Sequence, residues 1–403
     1  MTNKCHFFLC ELLFKTYKAL TQINLYNTTS MKLISKIVPI LMLFGIVESV
    51  VCQDCKLPNC FDPGTSYPLE VSRTPQFVLL SHDDAINTRT WNAFQSTGRC
   101  GVKTTFFVSW ENTNCDYIKA FYNAGHEIAL HTMSHAHLTG VPLEDLKTEM
   151  LGVRDMLYEK CDVPYEEMIG FRPPYLEINE NVRNVLVDDP TIRWSSDLNH
   201  YIDGADLNGT QLWPFTMDSG FVKNSSLEHE SHPGFWEIPL NPIMNEIFNP
   251  VYSMDPGRIT SGTEVPEPHD GDFIPADDLM DLLIENFNGV YNSKRSPFAI
   301  NFHTPWLAAD GYAQVLTEFL DYTKSFDDVY FVTFSELIEW MKNPVPLEKM
   351  PPRNLECVPE IIPPKSFWEK YNIPIIVTAI SIGPVITISI CILIAQFIFI
   401  VMK

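Results

Sequence analysis

The chain has 403 residues, 45% of them hydrophobic, which is enough for one large domain with its own core or for two smaller ones. Fifty acidic residues against 28 Lys and Arg give a formal net charge of -22, and no Lys/Arg cluster interrupts it; a nucleic-acid partner is therefore not expected.

The N-terminus holds two segments. Met31 opens a compact secretory signal: Lys32 and Lys36, an apolar stretch from Ile37 to Val47, and small residues Ser49 and Cys52 as cleavage sites. Residues 31–52 are therefore expected to be a signal peptide. Residues 1–30 fit no such pattern and are read as an upstream extension of uncertain role.

The first strand is Phe77-Val78-Leu79-Leu80, an apolar run that delivers Asp83 and Asp84 at its end. A strand over Lys103–Ser109 and a helix near Asp116–Asn123 follow. The strand His126–His131 delivers His131 and, four residues on, His135. If the chain turns into a helix there, the two imidazoles share a face with Cβ atoms about 5–6 Å apart. A carboxylate and two histidines form a zinc-type set that leaves a position open for water, so the residues point to a metal-dependent hydrolase.

A long helix is expected over Pro142–Glu159, where Leu143, Leu146, Met150, Val153 and Leu157 recur at spacings of three or four. Next come a strand at Ile169–Arg172 ending in Phe171-Arg-Pro-Pro-Tyr175, a short helix near Ile178–Val187, and a strand at Ile192–Ser196. Residues 199–234 and 241–275 read as surface loops on either side of a strand at Phe235–Leu240. The end is regular: helix 277–288, strand Phe298–His303, helix 312–325, strand Val329–Val332 and helix Phe334–Met341. This alternation predicts an α/β fold with a parallel sheet or barrel and a site at the strands' carboxyl ends. Arg172 is placed to pair with an acidic residue there, and His303 to act as an acid beside the metal.

Residues 346–372 are proline-rich and read as a stalk. From Ile375 to Met402 the chain runs 28 residues without a charge, long enough for one tilted transmembrane helix across a core of about 30 Å. A cleaved lipid-anchor signal is the competing reading; bulky Phe367 and Trp368 stand where small residues are wanted. Cys55, Cys60, Cys100, Cys115, Cys161 and Cys357 lie between leader and span, an even number that suggests disulfides in an exported domain. Cys55, Cys60 and Cys357 are placed to fasten the two ends together, with the pairing not readable. Asn208 and Asn224 open glycosylation sequons. A cell-surface, single-pass protein with its folded part outside is the expected arrangement.

In order, Ser81-His-Asp-Asp-Ala85, His131-Thr-Met-Ser-His135, Phe171-Arg-Pro-Pro-Tyr175 and Asn301-Phe-His-Thr-Pro-Trp306 resemble the motifs of the polysaccharide deacetylases with a NodB-type domain (carbohydrate esterase family 4). The chitin deacetylase-like branch is the nearest in pattern, supported by GHEIALHTMSH, FWEIP and VYFVTFSELIEWMKNP. The likeness covers roughly residues 70–345, within an expected domain of 53–345. It implies a distorted (β/α) barrel and hydrolysis of N-acetyl groups on N-acetylglucosamine polymers, chitin first among them. It implies Asp83 as general base, Asp84, His131 and His135 as ligands of Zn2+ (or another divalent metal such as Co2+), and Arg172 holding Asp83. The backbone N–H of Tyr175 would meet the oxyanion, and His303 would protonate the leaving amine. Two competing readings are a non-catalytic carbohydrate-binding relative and a deacetylase of another acetylated polymer; a purely structural surface protein is a third.

Three residues depart from the pattern. His82 stands where an apolar aromatic is usual. Trp194 occupies the place of the Asp that supports the motif Arg, with Asp197 as the nearest substitute. Asn301 replaces an apolar residue expected near the acetyl methyl. Tyr175, Trp213, Trp236 and Trp306 are candidate sugar-stacking platforms, and His137 is left as a solvated or structural residue.

Overall fold

The strand that carries the acidic pair, β1 (Gln76–Asp83), is buried along all eight of its residues. The computed structural model describes residues 55–62, 68–95, 100–199, 211–218, 230–243, 254–259 and 273–356. A strand covered on both faces needs a continuous apolar run rather than an alternating one, and β2 (Thr104–Val108) is likewise fully buried. β3 (Glu127–Leu130), β4 (Gly170–Phe171), β5 (Trp194–Ser195), β6 (Phe215–Met217), β7 (His232–Glu237), β8 (Phe298–Phe302) and β9 (Val329–Phe331) complete one sheet.

The hydrogen-bonded order is β6-β7-β5-β4-β3-β2-β1-β8, with β9 paired to the start of β1. Every pairing is parallel except β6 with β7. Among the described residues no ladder joins β6 to β8, so the hydrogen bonding defines an open path of strands from which β9 branches at β1. Parallel pairing requires crossovers, and these are α1 (Thr88–Gln95), α2 (Cys115–Asn123), α3 (Leu143–Cys161), α4 (Glu180–Asp188), α5 (Ala276–Tyr291), α6 (Thr304–Leu307) and α7 (Tyr312–Lys324), while α8 (Phe334–Lys342) follows the last strand. The fold is thus α/β with a parallel sheet, as the alternating pattern predicts.

Helix ends follow local chemistry. Asn114 caps α2 by accepting from the Asp116 N–H, and Asn179 caps α4 by accepting from Val182. Thr333 and Glu336 form a reciprocal capping box on α8. Cys115 and Cys161 form a disulfide that ties the start of α2 to the end of α3, closing a 46-residue separation. A loop of that length is worth about 4 kcal/mol in the chain-entropy account.

Several expectations change. Cys55 bonds to Cys60, so that pair closes on itself instead of fastening the two ends; Cys100 is also disulfide-bonded. α1 and β6 were not expected. α1 contains two threonines and is only eight residues long, so its period is weak, yet Trp91 and Phe94 are buried on one face. β6 is three residues and owes its form to pairing with β7. No helix among the described residues is long and apolar enough to cross a membrane. The signal at 31–52, the span at 375–402, the sequons at Asn208 and Asn224, and Cys357 lie outside the described residues.

Candidate metal and catalytic site

β1 ends with Ser81 and Asp83 on one face and His82 on the other, as strand alternation requires. Asp84 then takes a positive φ of 88°, held by its N–H donating to the Phe107 carbonyl. This turn lifts the Asp84 carboxylate off the strand's end towards the loop that follows β3.

That loop is not a helix. After β3 the chain passes through Thr132 (φ 75°) and His135 (φ 57°), and helix α3 begins only at Leu143. The two histidines meet because the loop folds back, not because they share a helical face. Its shape is fixed by the His135 N–H donating to Thr132 Oγ1, and by Glu149 of α3 accepting from the Ser134 N–H and Oγ.

The side-chain ligand atoms of Asp84, His131 and His135 lie within 4.8 Å of one another. His135 Nε2 stands 3.1 Å and His131 Nε2 3.6 Å from Asp84 Oδ1. His131 Nδ1 lies 2.7 Å from the Arg172 carbonyl; a donor there fixes the tautomer and turns the Nε2 lone pair towards Asp84. Asp84 Oδ1 is buried with no hydrogen-bond partner. An orphaned carboxylate oxygen facing two imidazoles fits a divalent cation. Burial alone would raise the Asp84 pKa, but His131, His303 and His135 outweigh it and hold the carboxyl well below the usual range.

Asp83 is 1% exposed and has a different partner. Arg172, fully buried after β4, donates from Nη1 to Asp83 Oδ1 at 2.6 Å and to Ser81 Oγ at 3.0 Å. Its other donors reach Ser196 O (3.2 Å), Ser196 Oγ (2.9 Å) and Asn301 Oδ1 (3.3 Å). The guanidinium lies 3.9 Å above the Phe107 ring.

Asp197 is not the substitute anchor for Arg172. It pairs with Arg183 at 2.9 and 2.8 Å, inside a buried network with Glu230 and Glu237. Burial first, then Asp197, pushes the Glu237 carboxyl up. Trp194 packs instead against Phe107 and Phe334, over Gly170, where an added Cβ would lie 2.0 Å from the indole. Neutral oxygens take over the anchoring. Asn301, opposite Ser81 in the ladder, accepts from Ser81 Oγ at 2.7 Å as well as from Arg172. Asp83 is thus held directly by the Arg172 guanidinium.

His303 follows β8. Its Nδ1 is 2.8 Å from Asp255 Oδ2, and its N–H donates to Asp255 Oδ1 at 2.8 Å. Burial opposes the imidazolium, but Asp255, followed by Asp84 and Asp83, raises its pKa to about 10. Asp255 was missed because it sits in a stretch read as loop. The Asp-Pro-Gly turn at 255–257 was the available signal.

Other expectations resolve plainly. His82 points away from Asp83 into Phe94, Phe106 and Phe302, with Nε2 2.8 Å from Thr304 Oγ1. Burial pushes its pKa down to about 4 against the pull of Asp84 and Asp83. Trp213, Trp236 and Trp306 are buried core residues, not platforms, whereas Tyr175 is 46% exposed. The Tyr175 ring packs 4.9 Å from that of His135. The structure therefore gathers Asp83, Asp84, His131, His135, Arg172, Tyr175 and His303 at the carboxyl ends of β1, β3, β4 and β8.

Fold and site define an α/β protein with a candidate metal centre at the carboxyl end of its sheet. Residues 70–190 match the family described as polysaccharide deacetylase. It is 26% identical to chitin deacetylase 1 of Bombyx mori over 318 residues, covering 72% of this chain and 56% of that protein. It is 27% identical to chitin deacetylase 8 of Bombyx mori, covering 76% of this chain and 80% of that protein. A solved structure of a putative polysaccharide deacetylase from Mycobacterium smegmatis aligns with a TM-score of 0.48 at 17% identity, over 72% of this chain and 98% of that one.

Proposed function

We propose that this protein is a metal-dependent deacetylase that removes acetyl groups from N-acetylglucosamine polymers, chitin first among them. The observation that carries the reading is the separation of the two aspartates: Asp84 faces His131 and His135, while Asp83 is held by Arg172. A base and a ligand side by side with different partners are what amide hydrolysis needs. The relatives named chitin deacetylase support the substrate class.

Asp84, His131 and His135 would hold the cation, which we take to be Zn2+, with Co2+ as an alternative. Such an ion supplies Lewis-acid polarisation of an amide carbonyl and acidifies water. Asp83, oriented by Arg172, takes the proton from the attacking water as its oxygen bonds to the acetyl carbon. The oxyanion that develops on the carbonyl oxygen is met by the backbone N–H of Tyr175. His303, kept cationic by Asp255, gives a proton to the amide nitrogen as the C–N bond breaks. Acetate and a free glucosamine unit result.

We further take the sheet as the family's distorted (β/α) barrel. We also propose an exported arrangement, with signal 31–52, domain 53–345, stalk 346–372 and transmembrane helix 373–402 placing the site outside the cell. Side-by-side incubation with chitohexaose, acetylated xylan and peptidoglycan, read by mass spectrometry, tests the substrate. Loss of acetyl from chitohexaose alone supports the reading; loss only from xylan or peptidoglycan would replace chitin with that polymer.

A further inference from the structure

Beside the candidate metal centre stands a second feature that none of the steps above uses. His137, two residues beyond His135, stacks flat on the Tyr175 ring, with centroids 4.0 Å apart and planes 15° from parallel. Its side chain is 67% exposed, and Tyr175 is among the few large apolar side chains exposed on the described surface. Exposed stacked rings at the edge of a reaction centre are a surface that water covers poorly and a flat ligand covers well.

The pair is built, not incidental. Glu177, two residues after Tyr175, accepts from His137 Nδ1 at 2.7 Å, Leu138 N at 2.8 Å, Thr139 N at 3.2 Å and Thr139 Oγ1 at 3.3 Å. One carboxylate thus fastens the loop after β3 to the loop after β4. Tyr175 is held at a φ of 57°, a conformation that costs a bulky residue energy, and in it the ring stands outward. Both rings are therefore presented in a fixed plane. Tyr175 also meets His135 edge-on, with planes 62° apart, so a row of rings runs outward from the candidate metal ligand to the His137–Tyr175 stack.

We infer that the outer face of the His137–Tyr175 stack is a sugar-binding platform, taking the pyranose ring adjacent to the residue that is deacetylated. This rests on the reading of the site as a polysaccharide deacetylase and adds a residue that sets chain-length preference. A β-linked pyranose has a flat C–H face that matches an aromatic plane. A sugar whose acetyl group reaches Asp84 leaves its neighbour in the chain over the next ring outward. A single N-acetylglucosamine held at the centre has no ring to place there. The platform should contribute to longer oligomers only.

The test uses the wild-type protein, His137→Ala and His137→Phe, with chitohexaose and the N-acetylglucosamine monomer. Chitohexaose binding by calorimetry and acetate release are measured in parallel. His137→Ala is expected to weaken hexamer binding and raise its KM roughly three- to tenfold, the worth of one aromatic contact, with kcat and the monomer values unchanged. His137→Phe keeps the plane without the Glu177 bond and should recover most of the loss. Wild-type turnover with an unaltered hexamer KM in His137→Ala overturns the platform alone. Weakened hexamer binding with no turnover by the wild type leaves the platform standing and overturns the deacetylase reading. Neither binding nor release by the wild type overturns both.

Discussion

Replacing Asp255 by Asn tests the part of the site least visible in advance. The substitution keeps the shape and one acceptor but removes the charge 2.8 Å from His303 Nδ1. Asp255 is the largest influence raising His303 to about 10; Asp84 and Asp83 follow, and a cation on Asp84 would cancel much of their pull. Asp255 would then be the group that keeps the imidazole charged. A hydrogen bond to a charged partner is worth about 1.5–3 kcal/mol, so its loss should lower the His303 pKa by roughly one to two units. The acid must be protonated to act, so activity falls as pH rises through that pKa. Asp255→Asn should move the alkaline limb of kcat down by roughly one to two pH units. It should also lower kcat at its optimum by roughly 10²-fold or more, the usual worth of a general acid. The same shift has a stability sign. A histidine raised in the folded state contributes stability in full below about 6.5, and that contribution disappears as pH rises through about 10. Thermal unfolding of wild type and variant should therefore differ most near pH 6 and converge above pH 10. A variant with wild-type kcat and an unmoved alkaline limb would refute His303 as the acid.

Two further substitutions separate the remaining roles. Asp83→Asn should leave bound zinc at one per chain by elemental analysis while lowering kcat by roughly 10²-fold or more, whereas His131→Ala should lose metal and turnover together. Equal metal loss in both variants would mean the two aspartates have been exchanged. Asn301→Leu takes the acceptor from Ser81 Oγ and one Arg172 N–H, a cost of roughly 1–3 kcal/mol. Because the Asn301 Nδ2 it also removes has no partner, the lower end is expected in thermal unfolding, with kcat reduced through a loosened Asp83. Unchanged stability and unchanged kcat would remove Asn301 from the anchoring of Arg172.

The sequence displayed what depended on short-range pattern. β1, β2 and β3 are apolar runs, and the polar residues at the ends of β1 and β3 are among those gathered at the candidate site. The helices over 142–159 and 312–325 showed their period in the apolar spacing. What depended on tertiary contact was hidden. The meeting of His131 with His135 comes from left-handed residues in a loop braced by Glu149, and helical spacing suggested the right neighbours by the wrong geometry. Asp255 lies 48 residues before His303, in a stretch with no period to mark it. Asp197, the nearest acid in sequence to the missing anchor, is captured by Arg183, whereas Asn301, 129 residues from Arg172, takes up part of the task. A departure that looked like a defect in the acetyl pocket is a hydrogen-bond acceptor for Arg172. His137 was passed over because its partners, Tyr175 and Glu177, lie about forty residues away.

The measurement that reaches the central claim most directly is acetate release from chitohexaose by the purified protein. It should be made as isolated, after chelation, and after zinc is restored. Release that disappears with the chelator and returns with zinc is the predicted result. No release from folded protein carrying one zinc per chain, or release indifferent to the chelator, would contradict it.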